Sequence, residues 1–231
     1  MNDKLFELYS SKWHNLCSAV KQINDEDGLE IKPANPLLLQ VDKEEDFVMA
    51  DIRVVIYGQE TNGWYGDFIA DINPILDCYD KFFNRGECWS YGGQFWLGFS
   101  KFWKMLEAKY PEKKIRFIWN NIVKIGKSGD KGFPPDYIYE IERNYFSVVN
   151  DELQILKPNL VLFFSGPNYD SIVKDNFGQI KYEALAPYSE RWLSQLQIPN
   201  VDFAFRTYHP NFLWRNDIES FFRTIIDRTN Y

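Results

Sequence analysis

Apolar β-like runs alternating with helical patterns along most of the chain predict a three-layer α/β/α fold around a central, mostly parallel sheet of four strands. Three observations carry this expectation. Four runs rich in Val, Ile and Phe stand out: Arg53 to Tyr57, Ile115 to Trp119, Leu160 to Phe164 and Val201 to Phe205. Their apolarity is continuous rather than alternating, which suits strands covered on both faces. Segments with helical spacing separate them. At 231 residues and 45% hydrophobic content the chain can bury one sizeable core, so a single domain over 1–231 is expected, with an N-terminal helical segment at about 1–30.

Taken in order, Leu5, Leu8, Tyr9, Trp13, Leu16, Val20 and Ile23 recur at spacings of three and four and predict an amphipathic helix, stopped by Asn24 to Gly28. Pro33 and Pro36, followed by the acidic Asp42 to Asp46 group, read as an extended connection across the surface. The first strand then leads into a long aromatic and glycine-bearing insertion from Thr61 to Gly98. It is too long for a bare loop, and it is expected to hold short helices and to serve as a lid or binding wall. Helical patterns cover Ser100 to Tyr110, Asp136 to Leu156 and a shorter stretch near Asp170 to Asn176, and Ile218 to Arg228 closes the chain.

Several function classes are disfavoured. The GxGxxG and GxxxxGK[ST] phosphate fingerprints are absent, which argues against a dinucleotide enzyme or a nucleotide triphosphatase. No apolar run approaches the ~20 residues of a membrane span, and Met1-Asn2-Asp3-Lys4 lacks an export pattern, so a cytoplasmic protein is expected. Cys17, Cys78 and Cys88 are odd in number without CxxC spacing, which fits reduced thiols rather than a disulfide framework or a metal centre. The net charge of −7 opposes non-specific binding to a polyanion, so any DNA contact must come from a local patch. Lys124, Lys127, Lys131, Arg206 and Arg215 are its candidates, although such scattered charges also read as ordinary solvated surface.

Two segments carry the chemistry. GQETNGWYG, Gly58 to Gly66, and TYHPNFLWR, Thr207 to Arg215, each follow an apolar run, so Glu60 and His209 are expected where strands become loops at one sheet edge, the edge at which α/β folds bind ligands. Taken singly, Glu60 also reads as a cap or surface carboxylate and His209 as a buried histidine satisfied by backbone groups. His14, on the first helical pattern, reads as structural or surface.

These residues resemble the uracil-DNA glycosylase superfamily, whose pattern is a strand ending in GQDPY, one ending in LLLN and one leading to HPSPL. The counterparts here are IYGQETN, RFIWNN and TYHPNFL, and NLVLFFSGPNY, Asn159 to Tyr169, is similar to the family's third strand and turn. The ordered match runs from about Val54 to Leu213. The resemblance implies a monofunctional glycosylase for base excision repair that hydrolyses the N-glycosidic bond of uracil or a related damaged base in DNA. It would act as a monomer, without metal or organic cofactor and without a membrane partner.

The residues suit that reaction, because cleavage leaves positive charge on the sugar and negative charge on the departing base. By resemblance Glu60 would orient water and stabilise the sugar, and His209 would donate to the base oxygen. Gln59, through its backbone amide, and Asn120, through its side-chain amide, would hold the base edge. A turn-capping role for Asn120 and a one-residue ambiguity with Asn121 stay open. Phe95 or Trp96 would stack on the extruded base, or pack in the core. Asn211, Phe212, Leu213, Trp214 and Arg215 would form the DNA-engaging loop, with Leu213 in the position of the wedge that replaces a flipped nucleotide. Phe212 and Trp214 equally suit packing against the last helix.

The chain departs from the family pattern at three places. Glu60 replaces aspartate, Thr61-Asn62 replaces the Pro-Tyr pair, leaving Trp64 or Tyr65 to act as gate, and HPNFL replaces HPSPL. These changes also suit a second reading, a non-catalytic nucleobase or nucleic-acid binding module that keeps the fold. A third is a protein-interaction role for the aromatic insertion around Trp64.

Overall fold

The computed structural model describes residues 1–26 and 28–231. Asp27, inside the expected helix stop, lies outside the described residues. The elements in chain order are α1 (Asn2–Asp25), β1 (Pro33–Pro36), α2 (Glu44–Val48), β2 (Ile52–Gly58), α3 (Asn73–Tyr79), a π-helical turn (Asp80–Asn84), α4 (Cys88–Tyr91), α5 (Gln94–Lys109), β3 (Ile115–Asn121) and β4 (Ile125–Lys127). There follow α6 (Asp136–Tyr145), α7 (Val149–Leu156), β5 (Leu160–Phe163), a 3-10 turn (Pro167–Tyr169), α8 (Asp170–Phe177), β6 (Tyr182–Ala184), β7 (Leu193–Leu196), β8 (Phe203–Thr207), α9 (Pro210–Leu213) and α10 (Ile218–Ile226). The chain forms two compact units. The first takes Met1–Asp42, Gln59–Arg85 and Asn121–Leu156; the second takes Lys43–Gly58, Gly86–Asn120 and Lys157–Tyr231.

The second unit is built on a six-stranded, mostly parallel sheet in the order β3-β2-β5-β8-β7-β6, two strands more than the four expected. β2, β5 and β8 run parallel, with Tyr57 level with Phe163 and Phe163 level with Arg206. β7 and β6 then turn back antiparallel. The two extra strands escape the apolar criterion for different reasons: β6, the edge strand, is half-buried to exposed, and β7, Leu-Ser-Gln-Leu, is mostly buried but too short and mixed to read as an apolar run, with only two apolar side chains. The buried strands Val54 to Tyr57 and Leu160 to Phe163 are apolar throughout because helices cover both faces. On one face Tyr57 stacks on Phe163 at 4.9 Å, and both meet Phe177 of α8. On the other, Phe164 stacks on Phe222 of α10 at 5.7 Å, and Phe117 meets Phe99 and Trp103 of α5.

The first unit is mainly helical. α1 buries the stripe Leu5, Tyr9, Leu16 and Val20 and packs on α6 and α7. The single helix expected from Asp136 to Leu156 is two, because Phe146 leaves the helical path and turns inward to rings of Tyr9 and Trp13, each at 6.0 Å. The connection after α1 also differs from expectation. Residues 33–39 are buried rather than spread over the surface, and β1 pairs antiparallel with β4 (Pro33 with Lys127, Pro36 with Ile125). Asn35 explains why a polar residue is tolerated inside: its Nδ2 donates to the carbonyls of Tyr65, Gly66 and Asp67, and its Oδ1 accepts the Ile69 N–H at 2.8 Å.

A charged cluster lies in this unit's core. Lys124, fully buried, donates from Nζ to both carboxylate oxygens of the equally buried Glu152 at 2.8 and 3.0 Å. The Tyr9 hydroxyl donates to the same carboxylate at 2.6 Å and accepts the Leu39 N–H at 3.0 Å. Glu142 Oε2 accepts the backbone N–H groups of Lys124 and Ile125 at 2.9 and 2.8 Å. Lys124 is therefore a core residue, which corrects its expected place in a surface patch. Lys127 pairs with Asp130 at 3.1 Å. No helix among the described residues is long and apolar enough to cross a membrane.

Candidate functional site

In the second unit the candidate residues gather where β8 ends. Arg206, the penultimate residue of β8, is buried and fully engaged. It grips Asp170 with Nε and Nη2 at 2.9 and 3.1 Å, and it donates to the carbonyls of Arg191 and Glu190 at 2.8 and 3.0 Å. Its guanidinium also lies 5.5 Å from the Tyr182 ring centroid. A second member of the expected basic patch is thus internal, and it anchors β8 to α8 and to the loop before β7. Lys131 and Arg215 are exposed.

Three residues beyond that anchor comes His209, half-buried, at the N-cap of α9. Its Nδ1 accepts the Asn211 N–H at 3.1 Å, and an N–H can only donate, so the neutral ring carries its proton on Nε2. Burial pushes the imidazole down from its ordinary 6.5 to about 4. At neutral pH His209 is an uncharged donor. The single helical turn of α9, capped by the histidine itself, gives the HPNFL segment its shape without the serine and second proline of the family pattern.

Gly98 brings the aromatic wall to this histidine. A Cβ at residue 98 would lie 2.5 Å from Pro210 Cβ, so α5 crosses the His209-Pro210 turn at the only side-chain size that fits. One turn earlier on α5, the half-buried Phe95 places its ring centroid 5.8 Å from that of His209, with planes 31° apart. Trp96 points instead into the core against Trp119 (5.0 Å) and Phe99 (5.7 Å). Asn120 is buried at the C-terminal end of β3, next to that Trp119. The signal for Gly98 was present in the sequence as a lone glycine inside a helical aromatic run, which costs ~1 kcal/mol relative to alanine and so asks for a packing reason.

The expected DNA loop divides. Leu213 is fully buried, so it is not an exposed wedge; the outward apolar side chain of the turn is Trp214, 39% exposed, with Lys101 Nζ 5.6 Å from its ring centroid. Phe212 is half-buried, stacked on Tyr208 at 4.1 Å and edge-on to Trp192 at 5.4 Å. Asn211 and Arg215 are exposed. Tyr208 stands inside the TYHPNFLWR motif without a role assigned to it, and Trp192 has no strand-end motif to single it out.

In the first unit Gln59 and Glu60, both half-buried, follow β2 directly along the chain. The Gln59 carbonyl accepts the Val123 N–H at 3.0 Å. Thr61 is buried, and a Cβ at Gly126 would lie 2.5 Å from both its carbonyl oxygen and its Oγ1. Trp64 is buried edge-on to Phe82 at 5.4 Å, whereas Tyr65 is exposed.

A hollow of about 260 Å³ lined by Lys181, Tyr182, Glu183, Gln195 and Gln197 lies on the β6–β7 hairpin, and no candidate residue lines it. Among the described residues no group of three or more His, Cys, Asp or Glu side chains is arranged to hold a metal ion. No protein-family model matches the chain, and no curated protein matches it.

Proposed function

We propose that the chain is a glycosylase of the uracil-DNA glycosylase type, hydrolysing the N-glycosidic bond of uracil or a related damaged base in DNA. The single observation that carries this reading is the state of His209: an imidazole kept neutral by burial, its Nδ1 occupied and its Nε2–H free of the capping bond, beside the ring of Phe95. A neutral donor suits a base oxygen on which negative charge develops, because it stabilises the charge without having to lose a proton at working pH. Phe95, rather than the inward Trp96, is the stacking surface. Asn120 reads the base edge with an amide that both accepts and donates, helped by the Gln59 backbone amide. Glu60 directs water and stabilises the cationic sugar. Trp214, in place of Leu213, is the apolar side chain that meets DNA, flanked by Asn211, Phe212 and Arg215.

Free-base release from a uracil-containing oligonucleotide, single- and double-stranded, tests this. Wild type is expected to release base, and Glu60→Gln and His209→Ala to lose about 100-fold or more. Wild type no faster than both variants excludes the activity.

One observation favours a non-catalytic nucleobase-binding module instead: Lys124 and Arg206, two of five candidate cations, are consumed inside and leave less charge to grip a phosphate backbone. Calorimetric titration with uracil and short single strands separates the two, since binding without turnover belongs to the module.

A further inference from the structure

We infer that the buried Glu142–Lys124–Glu152 cluster, together with Gly126, is a positioning device that holds residues 123–126 as the seat for the turn carrying Glu60. The inference rests on the reading of Glu60 as the water-directing carboxylate.

Glu60 has no strand beneath it, since β2 ends at Gly58. Its two neighbours in the chain are each held by the same short segment. On one side the Gln59 carbonyl accepts the Val123 N–H at 3.0 Å. On the other, Thr61, 2% exposed, lies against Gly126 so closely that any Cβ there would meet its backbone and hydroxyl at 2.5 Å. The Thr61 hydroxyl has no hydrogen-bond partner among the described residues, so this second contact is one of shape.

The segment between those two contacts is in turn fixed by directional bonds. Glu142 Oε2 takes the consecutive N–H groups of Lys124 and Ile125, the Lys124 carbonyl accepts the Leu37 N–H at 2.9 Å, and the Lys124 ammonium ends on Glu152. Glu152 is held by Tyr9 of α1, so helices α1, α6 and α7 all bear on four residues. A buried ion pair is a weak source of stability compared with an apolar core of the same volume; what it supplies is one geometry rather than several. A reaction in which ~1 Å of misplacement costs ~100-fold has use for that geometry.

The test uses Gly126→Ala, Glu142→Ala and Glu142→Gln with two readouts. Amide hydrogen exchange reports the Val123 N–H, the bond to Gln59, with α10 amides as the reference. Single-turnover base release and KM report the consequence for Glu60. Gly126→Ala and Glu142→Ala are expected to speed Val123 exchange about 10-fold or more while α10 amides stay as they are. They should also lower the release rate about 10- to 100-fold with KM within about twofold. Glu142→Gln, whose carbonyl oxygen can accept both N–H groups, is expected to keep Val123 protection and release within about threefold of wild type.

Unchanged Val123 exchange in both disrupting variants overturns the inference, as does Glu142→Gln behaving like Glu142→Ala. Should Glu142→Ala fail to fold, Gly126→Ala decides, because it leaves every charged group in place. If wild type releases no base, the glycosylase reading falls, and the exchange arm alone then judges the seat: faster exchange with glutamine rescue sustains it, and no change removes it.

Discussion

Imidazole is ambivalent near neutrality, and at His209 burial settles which form is present. The same burial has a consequence for stability, with a sign opposite to that of another buried group. In the folded chain His209 resists protonation, so it withdraws stability as pH falls from 6.5 through about 4. Glu142 is raised by burial from 4.5 to about 7 in spite of its two N–H donors, so it withdraws stability as pH rises from 4.5 through about 7. Between pH 4.5 and 6.5 the two oppose each other. Relative to wild type, the Tm of His209→Gln should therefore drift downward as pH rises across that window, and that of Glu142→Gln should drift downward as pH falls. Thermal scans at half-unit steps check this, and parallel curves for all three proteins contradict it. Gly98 supplies a second test at this scale. Alanine inside a helix ordinarily gains about 1 kcal/mol over glycine, but here its Cβ would overlap the rigid Pro210 ring. Overpacking costs ~1–3 kcal/mol, so Gly98→Ala should lower stability in urea unfolding; a gain would show that α5 and α9 slide apart freely.

Among the elements, β8 matters most, because it carries Arg206 and delivers His209 three residues later. Arg206→Ala should cost about 2–4 kcal/mol in denaturant unfolding by stranding Asp170 and two carbonyls, and lysine should recover little, since one ammonium cannot replace a two-pronged grip. Unchanged stability for the alanine variant would contradict the anchoring role. The elements also mark how far the sequence was legible. Strands β2, β3 and β5 fall on the expected runs because burial on both faces forces continuous apolarity. β8 begins two residues later than the run Val201 to Phe205, since Val201 is occupied in a turn with Ile198. β6 left no apolar trace because it lies at the sheet's edge, and β7 too short a one, with two leucines around Ser194 and Gln195. β1 was hidden by its two prolines, which read as surface connection although the segment is buried.

At the scale of the whole chain, the order of motifs was legible and their surroundings were not. Glu60 and His209 each lie two residues beyond a strand, as the apolar runs before them implied, and Asn120, pointed to by the resemblance, is the penultimate residue of β3. What no spacing reveals is which charges are consumed internally: Lys124 and Arg206 look like surface cations in sequence, and only packing discloses Glu152 and Asp170 beside them. Leu213 is buried and Trp214 exposed for the same reason, since one residue of helical rotation decides which faces inward.

The proposal that a neutral imidazole and a carboxylate cleave a nucleoside bond is tested most directly by single-turnover release of free uracil from a uracil-containing oligonucleotide, followed across pH. The account predicts release by wild type, lost about 100-fold or more in Glu60→Gln and His209→Ala, with no acceleration as pH falls through 6.5, because His209 gains no proton there. Release at background in wild type, or a rate that climbs on acidification through 6.5 and marks an imidazolium acid, contradicts it.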